Sequence, residues 1–289
     1  YFNYLITFMF VLSIAAGALF IVALEYLAGA DWSVPFRRIP EFFSGAIPVL
    51  ALLVIPLLFG LYDLFHWTHQ DAVESDKILK GKAPYLNEMF FVIRVVFYIG
   101  IWFVFYRLFT KNSQKQDITK DQLLTKKNIT LSAVFIPVFA ITFTVAAVDW
   151  LMSLEPHWFS TIFGVYFFSG SIIAALAAIT LTVILLKEKG YLHPKITNEH
   201  LYSLGALMFA FVNFWAYIAF SQYMLIWYAD LPETTFWFIQ RWEGGMMYVS
   251  LLLIVVHFIV PYFGLVSLPS KTDPKRLKFM SVWLLFAHL

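Results

Sequence analysis

Long apolar runs alternate with short polar stretches along this chain, and the runs set its layout. Seven are long enough to cross a bilayer, roughly at 2–28, 42–66, 89–109, 129–153, 160–186, 201–228 and 245–268. An eighth begins at Leu277 and is cut off at Leu289. A helix rises about 1.5 Å per residue, so about 20 apolar residues cross a hydrocarbon core of ~30 Å. In lipid, backbone N–H and C=O groups must bond within the protein, which makes such runs helices. The pattern predicts an all-α integral membrane protein with seven full spans and a truncated eighth. It divides naturally into two four-helix bundles, 1–153 and 154–289.

Composition sharpens this picture. The chain is 61% hydrophobic, 20% aromatic and 13% charged, where a soluble domain carries about 25% charged residues. A net charge of +2 over 289 residues offers nothing that would hold a nucleic acid. The sequence contains no cysteine, which excludes disulfides, thiolate-held iron–sulfur clusters and covalent c-type haem attachment within the chain. It opens without Met, in one apolar run, and stops in another, as expected for a piece of a longer protein.

Lys and Arg set the orientation. The connections after spans 1, 3, 5 and 7 hold Arg37 and Arg38, then Arg107, Lys111, Lys115, Lys120, Lys126 and Lys127, then Lys187, Lys189 and Lys195, then Lys271, Lys275, Arg276 and Lys278. The opposite connections hold only Lys77, Lys80, Lys82 and Arg241. The positive-inside rule places the first set in the cytoplasm and the loops 67–88, 154–160 and 229–244 outside. An internal repeat at an offset of four spans is also visible. Small residues 10–17 of span 1 echo 168–175 of span 5, and Arg94 and Arg241 lie near the outer ends of spans 3 and 7. Such small-residue faces suit close helix packing.

Ionisable groups inside lipid are costly and face an interior or a hydrated cavity. Most here cluster at the outer ends of spans. Span 2 ends with Tyr62, Asp63, His66 and His69; Arg94 enters span 3; Asp149 closes span 4, followed by Glu155 and His157; Gln222 and Tyr223 close span 6, with Asp230 and Glu233 just outside it. Asp63 and His66 are i,i+3 neighbours, and depth alone places them level with Asp149. A carboxylate beside an imidazole can exchange protons near neutral pH. The candidate proton route is therefore Asp63, His66, Asp149, His157, Arg94 and Tyr223 outside, with Glu25 and His257 toward the cytoplasm. The plainer reading is an interfacial belt of Trp, Tyr and snorkelling Arg, a Glu25 that snorkels and a His257 satisfied in a core. No catalytic residue and no metal site are assigned. Haem needs axial ligands at matching depths; His66 lies near the outside and His257 in the inner half, so they do not share one.

Two segments carry more information than hydropathy. Residues 149–164 read DWLMSLEPHWFSTIFG and residues 220–235 read FSQYMLIWYADLPETT. Together with span 1 through Asp31-Trp32-Ser33 and the following Arg38 and Glu41, they resemble the ActF subunits of bacterial alternative complex III, within the NrfD/PsrC-like membrane proteins. The resemblance implies two four-helix bundles with flanking helices, in the bacterial inner (cytoplasmic) membrane. It implies a subunit of a quinol:cytochrome c oxidoreductase that holds no cofactor itself. Haem c and iron–sulfur clusters would lie in partner subunits, and the quinol (menaquinol) site in a neighbouring ActC-like sister. The implied partners are that sister, an iron–sulfur subunit, multihaem cytochrome c subunits, lipid and a terminal oxidase. The tasks implied for the chain are assembly of the membrane arm and proton conduction. Two rival classes are a secondary transporter and a subunit III of a haem-copper oxidase. Polar groups crowd the span ends, and matched broken helices are not evident, so the first is disfavoured; the two segments above argue against the second.

Overall fold

The computed structural model describes residues 1–289, all of them helical or in short connections. Seven helical segments are long and apolar enough to cross a membrane, so the chain is a multi-pass, all-α membrane protein. In chain order the helices are α1 (Phe2–Leu27), α2 (Arg38–Ser44), α3 (Ile47–Leu53), α4 (Ile55–Phe59), α5 (Leu61–Leu64), α6 (Gln70–Ser75), α7 (Lys77–Lys82), α8 (Glu88–Thr119) and α9 (Leu123–Trp150). They continue with α10 (Phe163–Glu188), α11 (Asn198–Ala229), α12 (Pro232–Trp242), α13 (Met246–Ile254), α14 (Val260–Leu265), α15 (Leu268–Thr272) and α16 (Pro274–His288). A π-helical turn, Val255–Ile259, joins α13 to α14. "Outer" below means the end holding α6, α7 and α12, the side that the charge pattern assigns to the outside.

Several boundaries differ from those read off hydropathy, each for a local reason. The expected second span, 42–66, is broken into α2 to α5. Pro40, Pro48 and Pro56 each remove a backbone donor, and Gly45 and Gly60 close short helices. The connection expected between spans 3 and 4 is largely helix: α8 runs on to Thr119 and turns through Lys120, which adopts a left-handed conformation (φ 56°) as its C-cap. Lys, Gln and Asn tolerate a helix in water as well as in lipid, so hydropathy marked the membrane edge and not the helix end. Asn87 caps the other end of α8, its side chain accepting from the Phe90 N–H. The expected outer loops 67–88 and 229–244 contain α6, α7 and α12. Asp76 caps α7 by accepting from Ile78 and Leu79. Spans 2 and 7 are both interrupted, in non-corresponding positions of the two halves.

α1 and α10 are the most enclosed spans, and they cross at their small residues. A Cβ placed on Gly17 would lie 2.7 Å from the Ser171 carbonyl oxygen and 2.8 Å from the Ala175 Cβ. The two segments that echo each other in sequence therefore pack against each other. Lipid tails are as apolar as Leu, so such contact is held by close packing rather than by water exclusion. One buried cluster joins α1, span 2, α8 and α9 through Phe91, Trp102, Phe135, Phe139, Phe143 and Trp150. A second joins α10, α11, α14 and α16 through Ile172, Ile179, Met208, Trp215, Leu277 and Leu284, and also takes Ala18 and Ile21 from α1. A third, small cluster at the outer end centres on Ala147, Trp158 and Phe163.

Candidate functional site

The outer end of the first bundle is built around one ion pair. Arg94 sits almost two turns into α8, and Asp149 is the penultimate residue of α9. Arg94 Nε donates to Asp149 Oδ2 and Nη2 to Oδ1, both at 2.9 Å. The third nitrogen, Nη1, donates to the Tyr85 carbonyl at 2.9 Å, and the Tyr85 hydroxyl donates to Asp149 Oδ1 at 3.1 Å. The guanidinium also lies 3.9 Å from the Tyr85 ring centre and 4.4 Å from that of Phe90. Asp149 is fully buried and Arg94 nearly so. The planar guanidinium suits this two-point grip in a way that Lys would not. Ser153 Oγ donates to the Asp149 carbonyl at 2.5 Å, closing the helix end. Burial, with the Asp149 charge adding to it, pushes the Tyr85 phenol up to about 12, so it stays a donor.

Below the pair, α8 continues the polar column at four-residue spacing. The Tyr98 hydroxyl and the Trp150 indole N–H are buried without protein partners. One turn deeper, Trp102 Nε1 donates to Thr142 Oγ1 at 2.9 Å. Beside and beneath it the rings of Phe135, Phe139 and Phe143 follow one another along α9, 5.2 and 4.9 Å apart in sequence order. Above it, a cavity of about 360 Å³ lies between α7 and the 152–158 turn, lined by Lys82, Tyr85, Met152, Ser153, Pro156 and Trp158 among others. Lys82 Nζ donates to the Pro156 carbonyl at 2.5 Å, and its partial burial pulls its pKa down.

The same turn carries a second, more open group. His157 Nε2 lies 2.5 Å from Asp76 Oδ2, and Nδ1 lies 3.3 Å from Glu155 Oε1. The hydrogen bond to Asp76 raises the His157 pKa, and the same bond holds the Asp76 carboxyl below its ordinary value. An imidazole between two carboxylates thus ties the α6–α7 connection to the turn after α9.

The expected convergence of Asp63, His66 and Asp149 is not what forms. Asp149 faces Arg94 and Tyr85, while Asp63 and His66 are exposed. The proline breaks in span 2 reset its helical phase, so a depth estimate could not place these side chains. Instead, Tyr62, His66, Thr68, His69 and Asp71 line a separate polar recess of about 540 Å³, with the Tyr62 and His69 rings stacked at 3.9 Å. Tyr223 is half-buried on the other side, edge-on to Phe238 at 5.2 Å.

Both expected inner groups depart from the plainer reading. Glu25 is buried, not snorkelling, with its Oε2 3.8 Å from Arg37 Nε. Arg37 in turn lies 4.3 Å from the Tyr26 ring centre. Near it, Arg38 pairs with the buried Glu41 and with Asp117. His257 is buried, but its Nδ1 has no protein partner, so it is not a satisfied core histidine. Its near neighbour is His288, with ring centres 6.1 Å apart. Sequence reasoning missed Tyr85, Asp76 and Lys82. A helix-capping Asp before Lys77 was the one available signal, and it pointed to structure rather than to His157.

No protein-family model matches the chain, and no curated protein matches it. The residues present include no cysteine and no group of three His, Asp or Glu arranged to hold a metal ion. What fold and composition define is the class: a multi-pass helical membrane protein with a buried Arg–Asp pair between α8 and α9.

Proposed function

We propose that this chain is an integral membrane subunit of a respiratory quinol:cytochrome c oxidoreductase of the alternative complex III kind, in a bacterial cytoplasmic membrane. It holds no redox centre. Haem and iron–sulfur centres belong to partner subunits, and quinol to an ActC-like sister. Its own tasks are to build the membrane arm and to carry protons at its outer end.

One observation carries the reading. The two ActF-like segments, 149–164 and 220–235, lie far apart in sequence yet share one outer core. Trp158 of the first packs in the small cluster that Ile226 of the second joins, and it stacks on Trp237 just beyond it, at 4.3 Å. The first segment also supplies Asp149 and His157. A resemblance spread over two distant stretches thus concentrates in one place at the outer end.

There the groups divide by burial. Asp149 has both oxygens engaged by Arg94 and Tyr85, so it acts as a fixed counter-charge that organises the site. His157 is open to water and titrates, so it is the group that exchanges protons. The test is isolation of the native complex through a tag on this chain. Co-purification of multihaem and iron–sulfur subunits with quinol:cytochrome c activity supports the reading. In vesicles holding that complex, His157→Gln is expected to lower protons released per electron while quinol turnover persists. An active homo-oligomer free of haem proteins contradicts the reading.

A further inference from the structure

The polar recess at the outer end of span 2 takes no part in the Arg94–Asp149 pair or the His157 clasp. Its shape follows from the way span 2 ends. α5 stops at Leu64, and the chain makes one 3₁₀ turn, His66–Thr68, before α6 begins at Gln70. Such a turn has about three residues per turn, so side chains three apart eclipse one another. The turn is anchored from within. Phe65 and Trp67 are buried with ring centres 5.1 Å apart, and each lies 5.5 Å from the Phe91 ring. With those two rings held inward, His66 is left exposed and His69 half-buried beside it. Their ring centres lie 5.8 Å apart.

His69 is held in both orientation and tautomer. Its ring stacks on the Tyr62 ring at 3.9 Å, and its Nε2 donates to the Tyr62 carbonyl at 2.9 Å. α5 is too short to give that carbonyl a helical partner. A carbonyl only accepts, so Nε2 carries the proton and Nδ1 keeps its lone pair. An imidazole that gives one N–H to a backbone carbonyl and keeps the other nitrogen free has the form of a metal ligand. The spacing agrees. Zn–N bonds of about 2.0–2.1 Å put a metal ion about 3.2 Å from each ring centre. Two imidazoles on one ion then have ring centres about 5.2 Å apart at the tetrahedral angle and about 6.4 Å apart when opposite. The observed 5.8 Å lies between these limits. The surroundings favour a cation. Residues 61–76 hold Asp63, Asp71, Glu74 and Asp76 and no Lys or Arg, and Asp71 lines the same recess as the two His.

We propose that His66 and His69 form a surface binding site for a divalent transition-metal ion of the Zn²⁺ or Cu²⁺ kind. Imidazole ligands select these ions over Mg²⁺ and Ca²⁺, which take oxygen. The ion exchanges two of its waters for His69 Nδ1 and one nitrogen of His66, which is exposed and turns to meet it. Its remaining positions stay with water and the Asp71 carboxylate, and no redox change is involved. Two protein nitrogens at an exposed place make a reversible site for ions from the outer solution, not the closed four-ligand cage of a structural zinc. The bound ion clips the end of span 2 to the start of α6. The proposal is independent of the oxidoreductase reading, because it concerns this chain alone.

The test uses the full chain in lipid nanodiscs, purified through a tag without histidine. Calorimetric titration with ZnCl₂ reads affinity, and electron paramagnetic resonance with CuCl₂ counts the nitrogens on the metal. The expected result is a single tightest site whose copper carries two histidine nitrogens. His66→Gln and His69→Gln change side chains on the surface and should each lower Zn²⁺ affinity by about tenfold or more and remove one nitrogen from the copper spectrum. Asp71→Asn should weaken binding and keep both nitrogens. His193→Gln, at an exposed position in a distant connection, should change neither reading. If neither ion binds, if the copper carries one histidine nitrogen or none, or if affinity is unchanged in both His66→Gln and His69→Gln, the proposal is wrong.

Discussion

Arg94 and Asp149 grip each other through two parallel hydrogen bonds of 2.9 Å, 55 residues apart in sequence and sealed from solvent between α8 and α9. Taken one at a time, the two would each be expensive in lipid. Taken together, with the Tyr85 carbonyl on Arg94 and the Tyr85 hydroxyl on Asp149, they form a neutral, bonded unit. That unit fixes the outer end of the first bundle and the turn that presents His157.

Breaking this pair should be worse than deleting it. Removing one partner leaves an uncompensated buried charge, for which about 3–5 kcal/mol of stability is lost. Asp149→Ala and Arg94→Ala should each lower the free energy of unfolding in detergent by that order. The double replacement Arg94→Met with Asp149→Leu should be markedly less damaging than either single change. A double change that costs the sum of the two singles would mean the residues act separately.

The crossing of α1 and α10 should tolerate no added volume at Gly17. The nearest atom to a new Cβ there is the Ser171 backbone carbonyl, which cannot swing aside. Gly17→Ala should destabilise by about 1–3 kcal/mol through forced separation of the helices, and Gly17→Leu should abolish folding. Thermal unfolding with tryptophan fluorescence checks both. The control is Gly81→Ala, where a Cβ meets nothing within 4 Å, and it should be neutral.

The His157–Asp76 clasp should loosen in both directions of pH. His157 has a raised pKa in the folded protein, so its contribution is complete in mildly acid solution and is lost as pH rises through that raised value. Asp76 has a lowered pKa, so its contribution is present above the ordinary carboxylate range and is lost as pH falls through the lowered value. Hydrogen exchange in α6, α7 and the turn 151–158 should therefore be slowest between these limits. His157→Gln should remove the alkaline limb and leave the exchange of α10 unchanged. A pH dependence that survives the substitution would assign it to another group.

Orientation follows from the charge pattern and can be checked in a chain without native cysteine. Gln114→Cys lies on the exposed side of α8 beyond the membrane, and Thr161→Cys lies just after the His157 turn. An impermeant thiol reagent on intact cells should label position 161 and spare 114. The reverse pattern would invert the topology.

Much of the fold could be read from hydropathy, because spanning helices must be long, apolar and internally bonded. The seven spans and their small-residue faces follow from that constraint. The site was harder to read. Arg94 and Asp149 were recognisable as the costly residues of spans 3 and 4, but their pairing depends on the rotation of two helices, which depth does not give. Asp63 and His66 were misplaced because three prolines reset the phase of span 2. His257 and His288 lie 31 residues apart with nothing in sequence to link them. Only the π-turn forced by Pro261 turns one ring toward the other.

The central claim is membership of a quinol:cytochrome c oxidoreductase, and one measurement bears on it most directly. The native complex should be solubilised mildly, captured through a tag on this chain, and analysed for its subunits and its reduced-minus-oxidised haem spectrum. The account predicts c-type haem bands from co-purified multihaem subunits, together with an iron–sulfur subunit and a second polytopic subunit of similar size. A homogeneous complex of this chain with no haem absorbance would contradict it.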